Sequence, residues 1–175
     1  MHELYIEFFY RHSILEMLSW GLLLVGLWIV IALLLRNHQT LWRAINLILL
    51  IIVSVFILDR TLIGRGSKRE LQLLPFYSFV AAKSSPERIR SLVANLLLFI
   101  PFGLSLPFVL RSKGKKTGKP ISKTIIIAFL FSFFIELSQY AFALGLCETD
   151  DIIFNTLGAA EGAFAFAIVH RIENK

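Results

Sequence analysis

The stretch MLSWGLLLVGLWIVIALLL, Met17–Leu35, decides the fold class because it runs for nineteen residues without a charged side chain. A helix rises 1.5 Å per residue, so this stretch is long enough to cross a hydrocarbon core about 30 Å thick. The whole chain agrees, since 57% of its 175 residues are hydrophobic and 17% are charged. Soluble domains are about 45–50% apolar and about 25% charged. The composition therefore indicates a membrane protein.

Further apolar segments follow, separated by charged loops. We predict four more membrane spans, at Leu41–Leu58, Ser91–Leu110, Thr124–Cys147 and Ile152–Val169. The shorter apolar stretch Leu71–Val80 is too short to cross the membrane and suits a re-entrant or interfacial position. The sequence thus predicts an all-α polytopic membrane helix bundle of about five transmembrane helices plus this short segment, in a single integral membrane domain (residues 1–175).

The charges of the loops predict an orientation. The loop Arg111–Lys123 carries six Lys or Arg residues and no acid, which is typical of a cytoplasmic loop. Five spans then place the N-terminus outside and the C-terminus inside. Loop 59–90 carries seven bases and three acids yet falls outside, which conflicts with the same rule. We attribute the net charge of +6 to topology and to membrane lipids as partners, and not to nucleic acid.

Polar side chains within three of the spans are predicted to meet in one half of the membrane. Counted from the ends of the predicted segments, Asn95 and Asn155 lie ~6 Å below the same surface, Gln139 ~12 Å and Glu136 ~16 Å. Glu136 and Gln139 are three residues apart and share a helix face, as do Asp151 and Asn155, which are four apart. Because intramembrane ionisable groups often mark sites, this pattern predicts a polar pocket that opens to that surface.

The acids of this region have alternative roles. A buried Glu136 is expected to be neutral unless an arginine or a cation lies close, and it is a candidate proton donor, acid/base or ligand. Asp150 and Asp151, with Glu148, are candidate oxygen ligands for Mg²⁺. Alternatively, one aspartate caps the start of the fifth helix. Otherwise we expect no cofactor, because no Cys/His cluster has the spacing of a metal site.

Three sequence motifs, in this order, resemble the VanZ-like family of membrane proteins associated with teicoplanin (glycopeptide) resistance. They are NLLLFIPFG at Asn95–Gly103, IELSQ at Ile135–Gln139 and DDIIFNTLGA at Asp150–Ala159. The resemblance covers about residues 60–165. It implies a position in the cell envelope, in a bacterial plasma membrane, and a role in glycopeptide susceptibility, without supplying a mechanism.

The resemblance also implies which residues form the site. Carried over position by position, the characteristic polar residues include Arg65 and the polar groups found above from depth. Proline and glycines of the motifs complete the set. The residues are Arg65, Asn95, Pro101, Gly103, Glu136, Gln139, Asp150, Asp151, Asn155 and Gly158.

Three functions are consistent with these residues. The first is a non-enzymatic protein whose outward pocket binds a lipid-linked peptidoglycan precursor or another lipid head group. The second is an enzyme that modifies a phosphate- or peptide-bearing lipid, and the third is a lipid translocator. The first is favoured because no His or Cys accompanies the carboxylates except Cys147 at the rim. We expect an arginine such as Arg65 to compensate the buried carboxylates and to hold an incoming phosphate.

Overall fold

In a computed structural model, which describes residues 12–63, 68–82, 87–111 and 118–173, the chain forms six helices and one two-stranded sheet. Five of these helices are long and apolar enough to cross a membrane, as predicted. The elements are α1 (Ile14–Leu34), α2 (Gln39–Leu62), β1 (Lys68–Gln72), α3 (Tyr77–Ala81), α4 (Glu87–Leu110), α5 (Gly118–Ala141), β2 (Leu144–Glu148) and α6 (Thr149–Glu173).

Helices α1 and α2 present large apolar side chains to the outside of the bundle. Leu22, Leu27 and Val55 are 66%, 63% and 62% exposed. A soluble protein rarely exposes a continuous apolar surface of this kind, whereas lipid chains cover it without penalty. The exposed apolar surface confirms the prediction of membrane-type helices.

Helix α4 is the central element of the bundle, and most of it is buried. It packs backbone to backbone against α6, because glycines leave no side chain between the two helices. A Cβ atom on Gly103 would lie 2.0 Å from the carbonyl oxygen of Ala159, and one on Gly158 would lie 2.0 Å from that of Leu96. Helix α4 runs unbroken from Glu87 to Leu110 although it contains Pro101 and Pro107.

The predicted fourth span, Thr124–Cys147, has the wrong bounds. Helix α5 begins at Gly118 and ends at Ala141, and the apolar residues that follow form strand β2 instead of another helical turn. Ala143 adopts a left-handed conformation (φ 55°), which reverses the chain between α5 and β2. The two strands β1 and β2 were not predicted, because neither shows an alternating pattern of apolar and polar residues.

Strand β1 pairs in parallel with β2, so that Lys68 lies opposite Leu144 and Gln72 opposite Glu148. The predicted interfacial segment, Leu71–Val80, contains the end of β1 and all but the last residue of the short helix α3. We call the end of the bundle that carries β1, α3 and β2 the capped end, and the opposite end, with Arg111 and the start of α5, the basic end.

Candidate functional site

Helix α5 carries a buried polar stripe toward the capped end. Ser132, Glu136 and Gln139 follow one another at spacings of four and three residues and are all buried, so they lie on one face of the helix. The Nε2 group of Gln139 donates to the backbone oxygen of Thr61 at 2.9 Å, which ties α5 to the end of α2.

Glu136 holds the turn from α5 into β2. Its Oε2 atom accepts a hydrogen bond of 2.9 Å from the backbone N–H of Glu148, although only 2% of the Glu136 residue is exposed. The contact is possible because α5 ends five residues after Glu136 and the chain folds back as β2. A buried carboxylate is stabilised by such hydrogen bonds.

A second polar stripe lies on α6 and faces the first. Asp151 and Asn155 are buried, four residues apart, and Gly158 continues the same face. The Nδ2 group of Asn155 donates to Ser132 Oγ at 2.9 Å and joins the two stripes. We call Ser132, Glu136, Gln139, Asp151 and Asn155 the polar cluster.

The side chain of Asp150 binds a different part of the molecule from that of its neighbour Asp151. Its two carboxylate oxygens accept hydrogen bonds from the backbone N–H groups of Phe76 and Ser78, the second at 2.9 Å. These N–H groups belong to the first turn of α3 and to the residue before it. From the sequence, we considered that one aspartate of the pair caps the helix that follows it, which is α6. In the structure, Asp150 caps α3 instead.

Arginines compensate part of the negative charge at the capped end. Arg88 Nη1 lies 2.8 Å from Glu148 Oε1 in an ion pair, and its guanidinium also lies over the ring of Tyr77. Arg69 Nη2 donates to the backbone oxygen of Ala141 at 3.0 Å. Arg65, the arginine that we expected in this role, lies outside the described residues.

The acids act together on Cys147 in β2. Burial raises the pKa of the Cys147 thiol, and the negative charges of Glu136, Asp151 and Glu148 raise it further. Each of these charges disfavours the thiolate by repulsion. The three acids therefore lie close enough to Cys147 for their charges to act on its thiol.

The amide side chains of the polar cluster each have a buried oxygen atom without a hydrogen-bond donor among the described residues. Gln139 Oε1 and Asn155 Oδ1 are buried and, within the ranges that the structure describes, meet no hydrogen-bond donor. In that same part of the chain, no three His, Cys, Asp or Glu side chains come together closely enough to hold a metal ion. The binding of Mg²⁺ by Asp150 and Asp151 stays a prediction, and both oxygens of Asp150 already accept hydrogen bonds.

The remaining predicted residues lie around the cluster. Asn95 is half-buried on α4, one residue before Leu96, whose carbonyl oxygen lies against Gly158. Among the described residues, no hydrogen bond joins Asn95 to the acids. Gly103 lies further along α4, against the backbone of Ala159 on α6, and Pro101 precedes it by two residues in the same helix.

The depths estimated from the sequence change with the helix bounds. At 1.5 Å per residue, Glu136 lies about 8 Å from the end of α5 and Gln139 about 3 Å, each well short of the earlier value. Asn155 lies about 9 Å from the start of α6, and Asn95 about 12 Å from the start of α4. Glu136 and Asn155 are thus at nearly equal depth, close to the capped end.

Sequence reasoning missed Ser132 and the ion pair of Arg88 with Glu148. Ser132 lies four residues before Glu136, so the helical period alone could have assigned it to the same face. The ion pair joins the start of α4 to the end of β2, which are 60 residues apart in the sequence, so no local pattern revealed it.

Comparison with known proteins gives two matches. A family model described as VanZ/LLP1 matches residues 21–170 of the chain. Protein VanZ from Enterococcus faecium is 26% identical over 134 residues, which cover 75% of each chain. No solved structure gives a significant match.

Proposed function

The chain belongs to the VanZ family, and from this premise we propose that it lowers the susceptibility of a bacterium to glycopeptides such as teicoplanin by binding a lipid head group. The ligand is a lipid-linked peptidoglycan precursor or another membrane lipid. It binds at the polar cluster, in a pocket that opens to the outer surface of the plasma membrane. The protein acts by binding and not by catalysis.

The observation that carries this proposal is the burial of five polar side chains where two apolar helices meet. Polar groups inside membrane helices are costly, and ionisable ones are rare unless they serve a site. Here Glu136 and Asp151 are 2% and 6% exposed and lie near the end of the bundle that lipid head groups reach. A cluster that only held helices together would not need two carboxylates.

The distribution of charge supports an outward position of the capped end. Bases at the basic end include Arg36, Arg43, Arg111, Lys119, Lys123 and Arg171. At the capped end, Arg60 pairs with Asp59 and Arg88 with Glu148. The proposal takes the basic end as the cytoplasmic one by the positive-inside rule, against the seven bases of loop 59–90. Because Arg90 donates to the backbone oxygen of His12, the start of α1 lies at the capped end, which this proposal assigns to the outside.

The proposal is tested by drug susceptibility in a glycopeptide-sensitive Gram-positive host. We expect the chain to raise the minimal inhibitory concentration of teicoplanin, and Glu136→Gln or Asn155→Leu to abolish the increase. Both variants must be present in the membrane at the level of the unmodified chain.

Glu161→Gln is the matched control. Glu161 lies on α6, as Asn155 does, but it is exposed on the outside of the bundle. It should behave as the unmodified chain does. If the polar-cluster variants and Glu161→Gln all keep full resistance, the cluster is a packing device and the proposal is wrong.

A further inference from the structure

Glu161 is an acid in the middle of a membrane-spanning helix. It lies midway between Thr149, where α6 begins, and Glu173, where α6 ends. At 1.5 Å per residue it is about 18 Å from either end of the helix, so its short side chain cannot reach a layer of lipid head groups. Ionisable side chains at this depth are rare, and they face a partner or a water-filled cavity instead of lipid.

The single chain gives Glu161 no such partner. Its side chain is exposed on the outside of the bundle. Among the described residues it forms no hydrogen bond and no ion pair. A polar group without a hydrogen-bonding partner is strongly unfavourable in hydrocarbon. The outer surface of α6 at Glu161 therefore requires a polar partner from another molecule.

The apolar side chains around Glu161 form a seam that suits another helix. Leu157, Phe164 and Ile168 are 49%, 57% and 52% exposed. Together with Glu161 they follow one another at spacings of four, three and four residues, which is the pattern of the inner positions of a left-handed coiled coil. Most transmembrane helix pairs cross with this handedness. We call Leu157, Glu161, Phe164 and Ile168 the outer seam.

The chemistry of Glu161 decides which partner fits the outer seam. A protonated carboxyl group offers an O–H donor and an acceptor oxygen, so two such groups satisfy each other. A two-fold axis brings the same residue of two copies face to face. Copies of one chain enter the membrane in the same orientation, so their α6 helices run parallel. A single polar residue at an inner position fixes the register of a parallel helix pair.

We infer that the chain forms a homodimer through the outer seam, in which the Glu161 carboxyl groups of two parallel α6 helices hydrogen-bond to each other. Lipid can cover the three apolar side chains of the seam but offers no partner to the carboxyl group at this depth. The dimer does not depend on the proposed ligand, because the polar cluster uses the buried face of α6 that carries Asn155.

Disulfide trapping in membranes tests the interface. In a Cys147→Ser background, Phe164→Cys places a thiol on the outer seam, and the control Val55→Cys places one on the exposed surface of α2. A disulfide requires Cα atoms within about 7 Å of each other. With copper phenanthroline as oxidant, we expect a covalent dimer from Phe164→Cys and none from Val55→Cys. Co-expressed copies of two lengths identify the product, because a homodimer then gives a band of intermediate mass.

Substitutions of Glu161 test the pair of carboxyl groups. The dimer fraction is measured by energy transfer between fluorescently tagged copies of the full chain in vesicles, at decreasing ratios of protein to lipid. Glu161→Leu removes every hydrogen-bonding atom of the side chain and should weaken dimerisation by about three- to thirtyfold, as expected for interhelical hydrogen bonds in membranes. Glu161→Gln keeps donors and an acceptor, so it should dimerise as the unmodified chain does.

Three results overturn the inference. One is a chain that stays monomeric at every ratio of protein to lipid. Another is cross-linking of Phe164→Cys to a different protein only, which would then be the partner of Glu161. The third is equal dimerisation of Glu161→Leu and the unmodified chain, since the carboxyl pair would then not hold the dimer. Teicoplanin resistance of the polar-cluster variants judges the proposed function separately.

Discussion

Asp150 and Asp151 are adjacent in the sequence, yet their side chains serve different parts of the molecule. Asp150 accepts hydrogen bonds from the backbone N–H groups of Phe76 and Ser78, whereas Asp151 lies in the buried polar stripe of α6. On a helix, consecutive residues point about 100° apart, which explains the division. From the sequence, capping of a helix and binding of a metal ion both remained open as roles for the two aspartates. The role of Asp150 could not be predicted, because α3 is only five residues long and gives no clear helical pattern.

Cys147 reports on the charge of this region, and it is the one cysteine of the chain. Since burial and the charges of Glu136, Asp151 and Glu148 raise the pKa of its thiol, the thiolate forms only at higher pH than in an ordinary cysteine. Maleimide reacts with the thiolate. We therefore expect slow labelling of Cys147 at neutral pH, and a pH–rate profile whose midpoint lies above that of free cysteine.

Glu136→Gln should move this midpoint to lower pH, because it removes one negative charge from the neighbourhood. Glu161→Gln should leave the profile unchanged. A midpoint equal to that of free cysteine in the unmodified chain would contradict the arrangement of charges described for the capped end.

At the scale of elements, the contact of α4 with α6 holds the bundle together. The resemblance carried Gly158 over as a motif residue, and the structure places it against the backbone of α4 at Leu96. By contrast, the end of α5 was misjudged, because the apolar residues of β2 extend the apolar run of the helix. Hydropathy records which residues avoid water, whereas the pairing of β1 with β2 depends on residues distant in sequence.

Gly158→Ala should destabilise the protein by about 1–3 kcal/mol or more, the range for overpacking of a tight interior. The added Cβ would lie 2.0 Å from the backbone oxygen of Leu96, and a backbone atom of a buried helix has little room to move. The free energy of unfolding in mixed micelles measures the effect.

Gly26→Ala is the control, since a Cβ at Gly26 has no heavy atom within 4 Å. Alanine is favoured over glycine within a helix by about 0.5–1 kcal/mol, so Gly26→Ala should be neutral or slightly stabilising. Equal losses of stability for the two variants would mean that α4 and α6 are not in backbone contact.

At the scale of the whole molecule, the two ends differ in how their charges are used. Arginines of the capped end pair with acids or bind backbone oxygens, as Arg88 and Arg69 do. At the basic end, Arg43 Nη2 donates to the backbone oxygen of Val109 at 2.9 Å, where the carbonyl end of the α4 dipole favours a cation. The loop that follows α4 adds further bases.

A reporter fused after Gly114 should therefore read as cytoplasmic, and one fused after Glu148 as external, in truncated chains that end at the fusion point. Alkaline phosphatase is active only outside the cytoplasm and gives the readout, with a fluorescent protein as its complement. The opposite pattern would invert the molecule and direct the polar cluster toward the cytoplasm, although the contacts within it would stand.

The pairing of β1 with β2 has a consequence for the order in which the chain matures. Strand β1 leaves the ribosome long before β2, since α4 and α5 are synthesised between them. At about 5–20 residues per second, β1 waits on the order of 4–15 s for its partner. During that interval two hydrogen-bonded contacts cannot form. Glu136 cannot accept the hydrogen bond from the backbone N–H of Glu148, and the N–H groups at the start of α3 cannot donate to Asp150. The polar cluster is therefore complete only when the start of α6 has been made, so a nascent chain cannot assemble it before α6 enters the bilayer.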